Sequence, residues 1–216
     1  MQYGNTIKKN KIMIKLDIDR VELIKTIGAK CFHGEAVEIG SFKGEFARNI
    51  LNVWGGHLYM IDVWMGLGDE YKDMSNHNIH TNAYAETINN LKGYEERSTM
   101  IRCNSWQGSN LFQDKYLDFA YIDANHAYEY VKDDILTWFQ KVKIGGYLMG
   151  HDYIAMDWYN DPNFLPNGKD KHIYSTDGNY IGVFGVNPAV DEFCKEHGYE
   201  LTITNEWFGT WMIQKK

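Results

Sequence analysis

Glu35-Ala36-Val37-Glu38-Ile39-Gly40-Ser41-Phe42-Lys43-Gly44 opens the stretch that decides the fold. Glu35–Ile39 reads as a short apolar strand, and Gly40–Gly44 as a glycine-bracketed turn. Phe46, Ile50, Leu51 and Val53 then fall on one side of a helix over Phe46–Trp54. The same unit recurs along the chain. Strands are expected at His57–Val63, Ser98–Cys103, Leu117–Ile122 and Tyr147–Met149, the last after a Gly145-Gly146 turn. Helices are expected at Ala83–Leu91, Tyr128–Val142 and, briefly, Ser105–Leu111. Pro188–His197 should form a further helix, with Asn187 as its cap and Pro188 at its first position. Leu201–Thr204 and Thr210–Gln214 close the chain as two strands on a short connection.

Strand-helix alternation of this kind predicts an α/β fold. The sheet should be doubly wound and mostly parallel, with seven strands, covered by helices on both faces and ending in an antiparallel C-terminal hairpin. Residues 1–216 suit a single domain, with no repeats and no Pro/Gly/Ser linker. Ahead of the first strand, Asp17–Ile27 reads as a capped amphipathic helix, and residues 1–15 as a flexible polar arm. That helix is available to pack on a second copy, so a homo-oligomer stays open. One stretch breaks the rhythm: residues 154–180 are polar and rich in Asp, Asn and aromatics. A loop that long in a compact domain is either functional or disordered, and here it is expected on the substrate side.

Composition narrows the partners. Apolar residues are 44% and charged residues 24% of the 216 residues, ordinary for a globular chain. The net charge of −7 argues against a nucleic-acid backbone, which needs clustered Lys and Arg. The sole basic cluster is Lys8, Lys9, Lys11 and Lys15, read as a solvated arm. Cys31, Cys103 and Cys194 are odd in number and far apart, which fits a reducing compartment and neither a disulfide framework nor a zinc site. With no apolar leader and no membrane-length apolar run, the expected setting is cytoplasmic, away from membranes.

In an open α/β sheet, ligands sit beyond the carboxyl ends of the strands. Those ends carry Glu38, Gly40, Ser41 and Gly44 after the first strand, Asp62, Val63 and Trp64 after the second, and Asn104 and Ser105 after the third. Asp123, Asn125 and His126 follow the fourth, and His151 and Asp152 the fifth. The first turn lacks the second glycine of a dinucleotide fingerprint, and no Lys-Ser/Thr pair follows Gly44 as a P-loop requires. It suits a ligand without a pyrophosphate, whose carboxylate would take helix N-terminal amides and whose amine would take acceptors near Glu38. Asp62 is placed to bind ribose hydroxyls. Asp123 suits an amino group, a metal or a substrate hydroxyl, and His126 a general base. Asp123 and Asp152 at neighbouring strand ends could share one hard cation.

At these residues the chain resembles a known family. Val37–Gly44 is similar to the first motif of the class I, Rossmann-like S-adenosylmethionine-dependent methyltransferases. Tyr121-Ile122-Asp123-Ala124-Asn125-His126-Ala127-Tyr128, running on to Asp134, resembles a segment of their small-molecule O-methyltransferase branch, the catechol- and macrolide-sugar-type enzymes. Gly145–Tyr153 resembles that branch's GGxxxxHDY strand. The resemblance implies S-adenosylmethionine held by Glu38, Gly40, Ser41, Gly44, Asp62, Val63 and Asp123, with Asn104, Ser105 or Trp106 near the adenine. It implies Mg²⁺ on Asp123 and Asp152 in metal-dependent members. Those members carry a further carboxylate or amide beside the second Asp, where this chain has His151 and Tyr153; Asp157 or Asn125 would have to substitute.

The reaction implied is direct transfer of the sulfonium methyl to a hydroxyl of a small molecule, a sugar or similar polyol, with Asp123, His126 and His151 as the catalytic group. Tyr153, Trp158, Tyr159 and Tyr174 are candidate walls for the acceptor. Two other readings remain: N-methylation of a small amine, which needs no metal, and a non-catalytic module that binds the donor or a partner through Trp64–His80. An NAD-dependent oxidoreductase would need the missing dinucleotide fingerprint.

Overall fold

The computed structural model describes residues 13–30, 33–65, 77–154, 164–174 and 180–216. In chain order the elements are β1 (Met13–Leu16), α1 (Arg20–Gly28), β2 (Glu35–Ile39), α2 (Glu45–Val53), β3 (His57–Asp62), α3 (His77–Asn90), β4 (Ser98–Arg102) and α4 (Ser105–Ser109). β5 (Leu117–Ile122), α5 (Tyr128–Lys141), β6 (Val142–Ile154), β7 (Phe164–Asn167), β8 (Asp170–Tyr174) and β9 (Tyr180–Phe184) follow. The last three are α6 (Val186–His197), β10 (Leu201–Thr204) and β11 (Phe208–Gln214).

One sheet runs β1-β10-β11-β6-β5-β2-β3-β4. β6, β5, β2, β3 and β4 pair in parallel, and β11 is antiparallel to both β6 and β10. Successive side chains of a strand face opposite sides, so each central strand feeds two cores. Val37 and Ile39 of β2, Ala120 and Ile122 of β5 and Leu148 of β6 join α5 and α6 on one side. Ala36, Phe119, Tyr121, Tyr147 and Met149 join α1 and α2 on the other. α2 buries Phe46, Ala47, Ile50 and Leu51, an i, i+3/i+4 stripe that gives an apolar face its helical period. Asp19 caps α1 through its carboxylate on the Glu22 amide at 2.8 Å, and Leu23, Ile24 and Ile27 are buried.

The doubly wound sheet and its antiparallel C-terminal hairpin match the expectation; the strand count does not. Met13–Leu16, whose first three residues fall in the expected arm over residues 1–15, pairs in parallel with Leu201–Thr204 and makes an eighth strand. The stretch read as a long loop holds β7 and β8, which join β9 in a separate antiparallel sheet. Asn187 does not cap the last helix. Its amide side chain instead bonds both the N–H and the C=O of Ile154, at 2.9 and 2.8 Å, and Gly185 occupies the cap position. The apolar face of α1 packs on α2 of the same chain. No helix among the described residues is long and apolar enough to cross a membrane.

Candidate active site

β2 is where the winding reverses. From it the chain goes to β3 and β4 on one side, then to β5 and β6 on the other. The crevice between the carboxyl ends of β2 and β5 is therefore the natural ligand site.

Gly40 sits at that crevice with φ +87°, and a Cβ there would lie 2.0 Å from the Asp123 carbonyl oxygen. Glycine is required both by the backbone angle and by the approach of the next strand's loop. Gly40→Ala should cost about 2–5 kcal/mol, from a left-handed penalty plus overpacking. A urea titration measures it, and a loss under about 0.5 kcal/mol, the usual range of a surface change, would refute the argument. Beyond Gly40, the turn is tied to the end of β3. Asp62 accepts the Phe42 amide at 2.8 Å and the Trp64 amide at 2.7 Å, and the Trp64 indole donates to the Phe42 carbonyl at 2.6 Å. Phe42 and Trp64 both have φ in the left-handed region, as does Asp152. Of four such non-glycine residues among those described, only Lys115 lies elsewhere, so the strained backbone is concentrated at this candidate site.

Glu38 points from β2 into the α1–α2 side and is 2% exposed. Its Oε2 and the Ser41 hydroxyl have no hydrogen-bond partner among the described residues. Burial pushes the Glu38 carboxyl up to about 8; Ser41 and Arg20 oppose this, and Asp123 and Asp62 add to it. Gly44 begins α2 without any side-chain cap, so the first amides of that helix face the same turn.

The second half of the site is a cluster of acids and imidazoles. His126 Nε2 lies 2.7 Å from Asp152 and 3.7 Å from Asp123. His151 Nδ1 lies 3.3 Å from Asp152 and 3.8 Å from Asp123. Burial would raise the Asp152 carboxyl, but His126 and His151 together hold it well below the usual carboxylate range. Burial would lower His151, yet the hydrogen bond to Asp152 and the charge on Asp123 raise it overall. Phe184 stacks on the His126 ring at 5.4 Å, and Phe208 stacks on Phe184 at 6.0 Å. The two rings wall the imidazoles on one side.

Asp123, His126 and Asp152 each offer one ligand atom, all within 4.8 Å of one another. A divalent cation fits that spacing. Mg²⁺ prefers oxygen donors and would complete its shell with water, while the imidazole also suits softer ions. The Asn125 side-chain oxygen accepts the Ala127 amide at 2.8 Å, which fixes its orientation beside the cluster.

Several expected residues are not gathered here. The Ser105 hydroxyl donates to Asp134 and accepts from the Trp138 indole, so it is turned toward α5. Asn104 caps α4 through the Gln107 amide at 3.0 Å, while Trp106 stands 62% exposed. Tyr153 is buried with its hydroxyl on Asp191 at 2.8 Å, so it is no pocket wall. Asp157, Trp158, Tyr159, the Tyr174 side chain and most of Trp64–His80 lie outside the described residues.

Other residues enter that pattern reading missed. Arg20 Nη1 reaches within 3.6 Å of Asp123. Asp170, at the start of β8, accepts the Tyr128 amide at 2.7 Å and so caps α5, whose own Ala127 offers no side chain for it. With Gly185 N–H bonded to the His126 carbonyl at 2.6 Å, this fastens the small sheet beside His126. Only the cation at a helix start, against the helix dipole, was a visible clue to Arg20.

With this geometry in view, comparison with known proteins is specific about family. The methyltransferase-domain family matches residues 37–153. Among solved structures, an O-methyltransferase family protein from Burkholderia thailandensis aligns at TM-score 0.61 and 13% identity, over 91% of this chain and 55% of that one. A 1,6-didemethyltoxoflavin-N1-methyltransferase from the same organism, bound to 1,6-didemethyltoxoflavin and S-adenosylhomocysteine, aligns at TM-score 0.56 and 10% identity, over 91% and 78%. A precorrin-6y C5,15-methyltransferase from Geobacter metallireducens aligns at 0.55 and 12%, over 93% and 94%. These likenesses are of fold alone, and their named reactions differ. No curated protein sequence matches the chain.

Proposed function

The chain belongs to the methyltransferase-domain family, the class I S-adenosylmethionine-dependent enzymes, and from that premise we propose that it methylates a hydroxyl of a small polyhydroxylated molecule such as a sugar. One observation carries the choice of oxygen: the His126–Asp152 contact of 2.7 Å, beside Asp123 and across from the Gly40–Gly44 turn. A hydroxyl must lose its proton as it attacks, whereas a neutral amine attacks with its own lone pair. A carboxylate-held imidazole at the strand ends serves the first case.

In this reading Glu38, Ser41 and Asp62 line the donor side, with the backbone of Gly40 and Val63 and the uncapped start of α2 at Gly44. The acceptor oxygen attacks the methyl carbon in line, the carbon–sulfur bond breaks, and S-adenosylhomocysteine leaves. His126 takes the hydroxyl proton, Asp152 fixes the ring and stabilises the imidazolium, and Phe184 holds its face. Asp123 and Asp152 would hold a Mg²⁺ ion, which when bound lowers the pKa of the acceptor hydroxyl.

Calorimetric titration with S-adenosylhomocysteine, in Mg²⁺ and then in EDTA, tests the donor half. Micromolar binding is expected in both buffers. No binding from a folded sample would overturn the donor site. Binding followed by methylation of amines alone would overturn the hydroxyl acceptor.

A further inference from the structure

We infer that Arg20, on the helix ahead of the sheet's first central strand, binds the α-carboxylate of the methyl donor, while Asp123 beside it takes the α-ammonium through Oδ2, the oxygen facing Arg20, and keeps Oδ1, the oxygen facing His126, for the cation site. The inference rests on the donor site proposed above. It starts from an unfavourable placement. Arg20 is the first residue of α1, directly after the Asp19 cap, where the helix dipole disfavours a cation. Nothing within α1 repays that. The side chain instead extends to the sheet and lies over the Phe46 ring at 4.4 Å. Phe46 belongs to the first turn of α2, the helix that the Gly40–Gly44 turn opens. The guanidinium thus stands at the mouth of the turn, with the Tyr121 hydroxyl and Asp123 beside it.

The charges there require it. Glu38 feels Asp123, Arg20 and Asp62 together. A site whose carboxyl groups are Glu38, Asp62 and Asp123 has in them no group to bind the carboxylate of an amino-acid ligand, and the ionised ones would repel it. A zwitterion needs one anion-binding group and one cation-binding group a few ångströms apart, and Arg20 with Asp123 is such a pair. Their 3.6 Å separation is beyond hydrogen-bond length, so neither is saturated by the other. A guanidinium also presents the planar two-donor edge that a carboxylate accepts. Arg20 lies outside the family-matched residues 37–153, so this contact is the contribution of the chain's own leading segment.

The test compares three ligands on the full chain by calorimetry: S-adenosylhomocysteine, its decarboxylated analogue, and 5′-methylthioadenosine, which lacks the whole amino-acid end. Arg20→Gln should weaken S-adenosylhomocysteine by about 10- to 100-fold, the loss of a charged hydrogen-bonding partner. It should leave the other two ligands unchanged, which also shows that the variant is folded. Arg20→Lys should recover part of the loss. Equal weakening of all three ligands would make Arg20 a structural support and overturn the inference, as would unchanged S-adenosylhomocysteine binding. Failure of the unaltered protein to bind S-adenosylhomocysteine would instead overturn the donor site itself, and the inference with it.

Discussion

Glu38→Gln is expected to stabilise the empty protein at pH 8.5 by about 2–5 kcal/mol, to do little at pH 4.5, and to weaken donor binding. Glu38 is buried with Oε2 unpartnered, and Asp123 and Asp62 make its ionisation harder still. It therefore keeps its proton to about pH 8, against 4.5 when unfolded. Between those values the native chain binds more protons than the unfolded one, so stability falls as pH rises through the window. Retaining the proton that far corresponds to at most about 5 kcal/mol, and local relaxation reduces it. Glutamine is a neutral isostere that has no such slope. Its unpartnered amide costs something, but equally at every pH. Urea unfolding of both proteins at pH 4.5, 6.5 and 8.5 decides it: the difference must grow with pH, and a constant difference would sink the idea. The loss of donor affinity follows because a cationic donor draws Glu38 into its ionised form, which glutamine cannot take. A residue that destabilises the empty fold while serving its ligand is a stability–activity compromise.

What the chain's pattern revealed, and what it hid, has a physical division. β2, β5 and β10 fall on the residues that alternation and flanking turns predict, because those signals are local. β1 escaped because Met13–Lys15 is exposed on the sheet edge, so no burial imposes alternation on it. β6 runs on to Ile154, past its predicted end at Met149, because β11 pairs with it as far as Phe208–Ile154; a partner that distant in the chain leaves no trace in the strand itself. β7 and β8 sit in a polar stretch that reads as loop. The site divides in the same way. Asp123, His126, His151 and Asp152 were visible because each closes or follows an apolar strand. The bond from the Ser105 hydroxyl to Asp134 was not visible, because its partner lies on a helix beyond the next strand. Arg20 and Asp170 act on Asp123 and Tyr128 only after the chain has folded.

The largest kinetic effect should come from His126 and Asp152, and it should come from them as a unit. His126→Ala is expected to lower kcat by about 10²–10⁴-fold, the usual weight of a general base. Asp152→Asn should lose a similar amount, because the carboxylate that orients the imidazole and balances its charge is gone. The double variant should fall little further, since neither member works without the other. His151 has a different place in the cluster. Its hydrogen bond to Asp152 and the charge on Asp123 overcome burial and favour its protonated form, while His126, closer to Asp152 at 2.7 Å against 3.3 Å, is the better held of the two to accept the proton from the hydroxyl. His151→Ala should therefore cost under about 10-fold at the optimum, well short of a lost base. It should also move the acid limb of the kcat profile to higher pH, because Asp152 then serves His126 alone. These constants are measured with the polyol that acceptor screening identifies, as pH profiles of kcat and kcat/KM for the four variants. Full additivity of the two single losses would show that the imidazole and carboxylate act separately. A larger loss in His151→Ala than in His126→Ala would transfer the base to His151 and leave Asp152 as its partner at 3.3 Å.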